Sequence, residues 1–323
     1  MRILIFKTLL FISTGIMIIA LVCILVYSFV NKGDYYSINT SKSVLIAGHS
    51  HPECAYNDSI IETAINLSQS GESYFYMYAK LKPIIRDNPH IKHVFIEYTN
   101  NCISDDMIEW MYSNKHLKFR YPKFAAFMSL NDYLLLLRNN FEGTVFATSF
   151  SLKNYGSFLA SRSSDLLLAN EWGHFKPTKL NKVDSLVSSL KPEDYIPFDY
   201  KFPEKNMAYL RKSIDMLHQA GIKVFLMRTP QHPKYPGFRN EALFLRTHQE
   251  KFIDVPFLDF RNLPMEHYDF ADLEHLNTKG ANKFSIYVNY LIKQGLLEGK
   301  IEPNQVNAYW NAHLELEANS SHN

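Results

Sequence analysis

Ser50 ends an apolar run, Val44-Leu45-Ile46-Ala47-Gly48-His49-Ser50-His51. A serine hydroxyl is a weak nucleophile that needs an adjacent base, itself oriented by a third group. Far downstream, Asp272-Leu273-Glu274-His275-Leu276-Asn277 offers both partner types. Asp272 and His275 are three residues apart on a loop just before a helical pattern. That spacing lets the carboxylate reach one imidazole nitrogen and leaves the other facing outward. The chemistry such a set can perform is acyl transfer through Ser50.

The elements that must position these groups read as strands alternating with helices. Val44–Ala47, Thr63–Leu67, Val94–Tyr98, Ile222–Met227 and Val255–Phe260 are short apolar runs of the kind that form buried strands. Between them, helices are expected over Pro52–Ile61, Glu72–Arg86, Glu204–Ala220, Asn240–Lys251 and Lys279–Gln294. Met207, Leu210, Ile214 and Leu217 line one helix face, and Gly221 stands where a C-terminal cap belongs. Alternation of this kind implies parallel pairing with helices on both faces, an α/β/α sandwich on a mainly parallel five-stranded sheet. In such sheets ligands gather at the carboxyl ends of the strands. Ser50 follows the first strand and His275 the last, so the topology permits them to meet.

Between about residues 103 and 203 the alternation breaks down, and this block reads as a large, mainly helical insertion. It carries aromatic-rich helical stretches such as Asn131–Asn140, a strand-like run at Thr144–Phe150 and a polar Ser/Lys-rich segment at Ser161–Lys191. The α/β domain then covers residues 34–310, and 311–323 form a frayed tail.

The N-terminal stretch Thr8–Val30 holds 23 residues without a charge. As a helix it spans roughly 35 Å, enough for a hydrocarbon core of about 30 Å. A cleaved signal would have a shorter apolar region and small residues at the cleavage site, and Leu25-Val26-Tyr27-Ser28-Phe29-Val30 lacks them. Val22 before Cys23 also fits a lipoprotein site poorly. The expectation is an uncleaved anchor in residues 1–33. Arg2 and Lys7 before the segment place the N-terminus in the cytoplasm and the remaining chain outside the membrane.

The net charge is +2 and no basic run stands out, which disfavours nucleic acid as a partner. Three cysteines are too few for a disulfide scaffold, and Cys54 and Cys102 read equally as a pair or as free thiols. Their spacing offers no zinc pattern.

The chain resembles the SGNH, or GDSL-like, hydrolase superfamily. Members carry a nucleophilic Ser in a Gly-Asp-Ser block after the first strand, a Gly after the second, an Asn after the third and Asp-x-x-His near the C-terminus. Here the matches in order are Gly48-His49-Ser50, Gly71, Asn100 or Asn101, and Asp272-x-x-His275-Leu276-Asn277-x-x-Gly280, covering most of residues 44–294. Two departures stand out: His49 replaces the usual Asp, and Tyr98-Thr99-Asn100-Asn101 lacks the usual Gly-x-Asn-Asp. The resemblance implies a Ser50–His275–Asp272 triad and an oxyanion hole from the N–H groups of Ser50 and Gly71 with an Asn side chain, Asn100 being the expected one. It implies no cofactor and no metal.

The anchor with an outward domain is similar, more loosely, to envelope members of DltD-like and AlgX/AlgJ-like type. The expected substrate is therefore an acylated envelope glycan or polymer, to be hydrolysed or to serve in transfer. The altered first and third blocks leave a second expectation, a non-catalytic relative that binds polymer or scaffolds an envelope complex.

Gly48-His49-Ser50-His51 also resembles the Gly-His-x-His ending of metallophosphoesterases. Those enzymes supply further ligands upstream, where this chain has only the apolar segment and a short linker. His174, in Glu171-Trp172-Gly173-His174, reads as a loop residue.

Overall fold

A computed structural model describes residues 2–32, 36–161, 172–197 and 202–314. Of the expected tail, 311–323, residues 311–314 are helical with His313 buried against Tyr287, which corrects that part, and 315–323 lie outside the described residues. The chain forms two compact units, one of Met1–Tyr36 with Tyr112–Leu168 and the other of Ser37–Met111 with Ala169–Asn323.

The second unit is built on five parallel strands in the order β2-β1-β3-β4-β5. These are β1 (Val44–Ala47), β2 (Ala64–Asn66), β3 (His93–Glu97), β4 (Lys223–Arg228) and β5 (Phe257–Asp259). All four residues of β1 are buried, because parallel strands covered on both faces need apolar side chains on both. Side chains alternate between the faces. Val44 and Ile46 of β1, Phe95 of β3, Phe225 and Met227 of β4 and Leu258 of β5 join one cluster with Phe284, Tyr287, Val288 and Leu291.

In chain order the helices are α1 (Arg2–Asn31), α2 (Ser50–Ala55), α3 (Tyr74–Asp87), α4 (Asp106–Tyr112), α5 (Asn114–Phe124), α6 (Leu130–Asn139), α7 (Phe141–Ser161), α8 (Val183–Ser189), α9 (Glu204–Gln219), α10 (Glu241–Lys251) and α11 (Thr278–Lys293). Helices α2 and α11 cover the face just described. Helices α3 and α9 pack against each other, with Phe75 against Tyr209 at 4.9 Å between ring centres. The strand order reverses between β1 and β3, the switch point at which doubly wound sheets hold their ligands. Ser50 follows one of these strands and Asn100 the other.

The first unit holds α1 and the helices α5 to α7. Ile3–Asn31 is long and apolar enough to cross a membrane, with a mean hydropathy of 3.0. The strand-like run Thr144–Phe150 lies inside α7, correcting the expected strand. Thr144, Ala147, Ser151 and Tyr155 are buried at helical spacing. The small side chains of Thr144, Ala147 and Ser151 let neighbouring helices approach, and Thr148 donates to the Tyr121 hydroxyl of α5 at 3.2 Å.

Within the stretch expected as insertion, 103–203, the described residues from Trp172 onward belong to the α/β unit. Trp172 is buried, and a Cβ on Gly173 would stand 2.2 Å from the carbonyl carbon and oxygen of Leu67. The Lys176 N–H reaches the Glu53 carbonyl at 2.7 Å. His174 is exposed, and its backbone N–H bonds the Ser68 carbonyl.

Candidate active site

Gly48 makes the turn out of β1 possible for a steric reason. A Cβ there would stand 2.5 Å from both Cβ and Oε2 of Glu97 and 2.7 Å from Pro52 Cγ. With the hydrogen atom of glycine in that place, Glu97 Oε2 accepts the His49 N–H at 2.6 Å, and the chain enters α2 with Ser50 as its first residue.

The last loop is built with equal economy. Asn277 caps α11 by accepting the Gly280 N–H at 3.0 Å, while its amide donates to the carbonyls of Tyr268 and Phe270. Gly280 allows the helix to touch the preceding turn, since a Cβ would lie 2.1 Å from the Asp269 carbonyl oxygen. These two motif residues therefore shape the loop and carry no chemistry. The Asp272 carboxylate folds back on the same turn and accepts the backbone N–H groups of Glu274 and His275, each at 2.8 Å.

On this frame three side chains form a continuous chain. His275 Nδ1 lies 2.9 and 3.0 Å from the two Asp272 oxygens, and His275 Nε2 lies 2.8 Å from Ser50 Oγ. The pairing with Asp272 makes Nδ1 the protonated nitrogen and leaves Nε2 able to accept the serine proton. Burial alone would push the Asp272 carboxyl up, but the His275 ring and the two N–H groups hold it below its ordinary value. Ser50 is partly exposed, and the His275 side chain is one-fifth exposed, so the pair faces solvent.

Next to this chain sits a buried charged cluster. Glu97, fully buried at the end of β3, accepts His51 Nδ1 at 2.6 Å, and His51 Nε2 points to Glu274 at 3.3 Å. Burial opposes charge on His51, yet Glu274 and Glu97 raise it from 6.5 to about 10, so the ring is an imidazolium at neutral pH. Glu97 would be driven up by burial, but His49 and His51 hold it down at about 2. Glu274 is also held well below the usual carboxylate range, chiefly by His51 against its own burial. Burial pushes His49 down, outweighing the attraction of Glu97. The His51 and His275 rings lie 5.0 Å apart between centres.

Among the described residues, His49, His51 and Glu97 bring three ligand-type atoms within 4.8 Å of one another. Those atoms already satisfy each other: Glu97 Oε1 stands 3.0 Å from His49 Nε2 and 2.6 Å from His51 Nδ1. A metal ion would have to replace both contacts and discharge His51.

Gly71 takes φ +72 in the turn after β2. That turn is tied to the end of β1 by the Gln69 N–H, which bonds the Gly48 carbonyl at 3.0 Å. Asn100 is placed differently from the expectation. Its amide donates to Glu241 at 2.9 Å and its oxygen accepts from Arg228 at 3.0 Å, in a buried ion network with Asp259. One N–H of the Asn100 amide goes to Glu241, and the amide carries a second. The amide of Asn101 points instead to Glu274 at 3.0 Å, and its oxygen accepts the Tyr235 hydroxyl at 2.7 Å.

A pocket of about 210 Å³ opens beside Glu274, lined among others by Asn101, Asp106, Trp110, Tyr235 and Arg239. The sequence marks His51 only as part of a Gly-His-x-His ending and does not single out Glu97 or Glu274. The available signal was a single acidic residue, Glu97, closing an otherwise apolar strand. Cys54 and Cys102 are free thiols, and burial pushes each up to about 12.

One protein-family model, which carries no functional description, matches residues 178–297. That span holds β4, β5 and the Asp272–His275 loop. No curated protein matches the chain by sequence.

Proposed function

We propose that this protein is a membrane-anchored serine esterase or O-acyltransferase of SGNH type that acts on an acylated envelope glycan or polymer. The observation carrying this reading is the continuous Ser50–His275–Asp272 hydrogen-bond chain, with the hydroxyl 2.8 Å from an imidazole nitrogen free to accept its proton. Ser50 Oγ attacks the ester carbonyl carbon as its proton passes to His275 Nε2. Asp272 holds the ring and stabilises the imidazolium. The tetrahedral adduct collapses when His275 returns the proton to the leaving alkoxide, leaving Ser50 acylated. Water or an acceptor hydroxyl then attacks by the same path in reverse.

The backbone N–H groups of Ser50 and Gly71 are the proposed oxyanion donors, each worth about 2.7–4 kcal/mol of barrier in comparable sites. A polar pocket beside Glu274 suits a hydroxyl-rich substrate better than a long acyl chain.

Retention of the anchor is supported by packing within the first unit. Cys23, Val26, Tyr27 and Val30 are the residues of α1 that are not exposed among those described, and they form one stripe at helical spacing. Tyr27 meets Tyr155 edge-on at 5.5 Å, and its hydroxyl lies 3.4 Å from Ser151 Oγ. A cleaved signal would remove the residues that complete this packing. With the N-terminus cytoplasmic, the α/β unit lies outside the membrane.

A second reading, binding without catalysis, is favoured by the two departures from the resembled pattern, His49 and Tyr98-Thr99-Asn100-Asn101. A fluorophosphonate probe separates the two: covalent labelling at Ser50 supports catalysis, and a folded but unlabelled protein supports binding alone.

A further inference from the structure

We propose that the helical insertion lies on the membrane, with the exposed apolar side of α5–α7 seated in the headgroup and upper acyl region of an anionic bilayer. This rests on reading α1 as a retained span.

The first observation is where the insertion grips α1. A hydrocarbon core of about 30 Å takes roughly 20 helical residues. Counted from Thr8, the first residue beyond Lys7, such a span ends near Tyr27. The covered stripe of α1, Cys23 to Val30, straddles that far boundary. Helices packed on it therefore stand at headgroup level.

The second is what these helices expose. On α7, Phe141 is 70% and Phe146 57% exposed, and Val145 and Phe150 are also open. Phe119 on α5 and Leu130 at the start of α6 add to this. Phe150 is adjacent to Ser151, the residue that meets Tyr27, and Phe146 is about 8 Å along the helix from it. Large apolar side chains standing this openly on a soluble surface mark an interaction site.

The third is charge. Over residues 112–161 the exposed charges are Lys115, Lys118, Arg138 and Lys153 against Glu142, while Arg120, Lys123 and Asp132 are buried. A shallow groove of about 580 Å³ runs between α5 and α7, with Val145 and Phe146 in it and both Lys118 and Glu142 among its lining. Lysine stems lie along apolar surface while the amine reaches a phosphate, which is the chemistry of an anionic lipid interface.

The test uses the full chain in nanodiscs containing an anionic phospholipid. Phe146→Cys, Ile18→Cys and Glu298→Cys are each spin-labelled, and collision with dissolved oxygen is compared with collision with a water-soluble nickel chelate. Ile18 reports the span and Glu298 reports exposed surface of the α/β unit. At Phe146 we expect oxygen accessibility near that of Ile18 and nickel accessibility at least fivefold below that of Glu298. Nickel accessibility equal to Glu298, with Ile18 lipid-exposed, overturns the inference while leaving the anchor intact. A Phe146 label shielded from both reagents identifies a protein partner and also overturns it. A water-exposed Ile18 would instead remove the anchor reading itself.

Discussion

Glu97 accepts a hydrogen bond from His51, one residue beyond Ser50, at 2.6 Å. The same carboxylate accepts the His49 N–H, so one buried group at the end of β3 grips both sides of the candidate nucleophile. His51 in turn reaches Glu274, the residue before His275. Position and charge are thus coupled: the cluster that neutralises Glu97 also ties the loop after β1 to the loop after β5. In this chain His49 stands where the resembled family has an aspartate, and the carboxylate that accepts the His49 N–H comes from β3.

Replacing Glu97 by Gln leaves His51 charged and buried with one carboxylate partner. Breaking a buried ion pair from one side costs about 3–5 kcal/mol. The Glu97→Gln protein is expected to unfold at clearly lower denaturant concentration than wild type. An unchanged midpoint would show that the cluster is not a charged one.

The same cluster makes stability depend on pH with a defined sign. Glu97 is depressed from 4.5 to about 2, so its contribution is present above pH 4.5 and lost as pH falls toward 2. His51 is raised from 6.5 to about 10, so its contribution is full below pH 6.5 and lost as pH rises through 10. The melting temperature is expected to be highest between these ordinary values and to fall toward pH 10. In His51→Asn the protein is weaker throughout, and the fall on the alkaline side is shallower. Equal alkaline slopes in the two proteins would contradict the assignment.

Gly48→Ala places a methyl group where Glu97 and Pro52 already stand. Overpacking of this kind costs about 1–3 kcal/mol. Because the displaced groups border Ser50, the variant should also react more slowly with a fluorophosphonate, by tenfold or more, while still folded by circular dichroism. Wild-type labelling would show that the turn has room to give.

Asp272→Asn keeps the side chain's size and removes the charge that orients His275. In comparable triads this change lowers turnover on the order of 10⁴-fold. Hydrolysis of a short acyl ester, with thermal stability as the control, measures it. A loss below tenfold would mean that Asp272 acts only as a turn residue.

Much of this architecture is legible in the sequence because it rests on local rules. Buried parallel strands must be apolar runs, and Val44–Ala47 and Val94–Tyr98 announce themselves. The Asp272–His275 spacing fixes a carboxylate–imidazole contact within one turn, so it can be read without knowing the fold. What cannot be read are pairings between distant segments. Nothing near Asn100 signals that Arg228 and Glu241 will claim its amide, and nothing near His51 signals Glu97 and Glu274. Thr144–Phe150 reads as a strand because short apolar runs fit either period. Its helical character becomes visible only when Ser151 and Tyr155 extend the buried face. The end of the insertion was equally hidden, since Trp172 and Gly173 declare their place only against Leu67 and Ser68.

The most direct measurement is active-site labelling of the full-length protein in detergent with a fluorophosphonate, followed by peptide mapping. The account predicts one modified residue, Ser50, with labelling abolished in Ser50→Ala and reduced at least a hundredfold in His275→Ala. A folded wild-type protein that takes up no label, or one labelled equally well after Ser50→Ala, would contradict it.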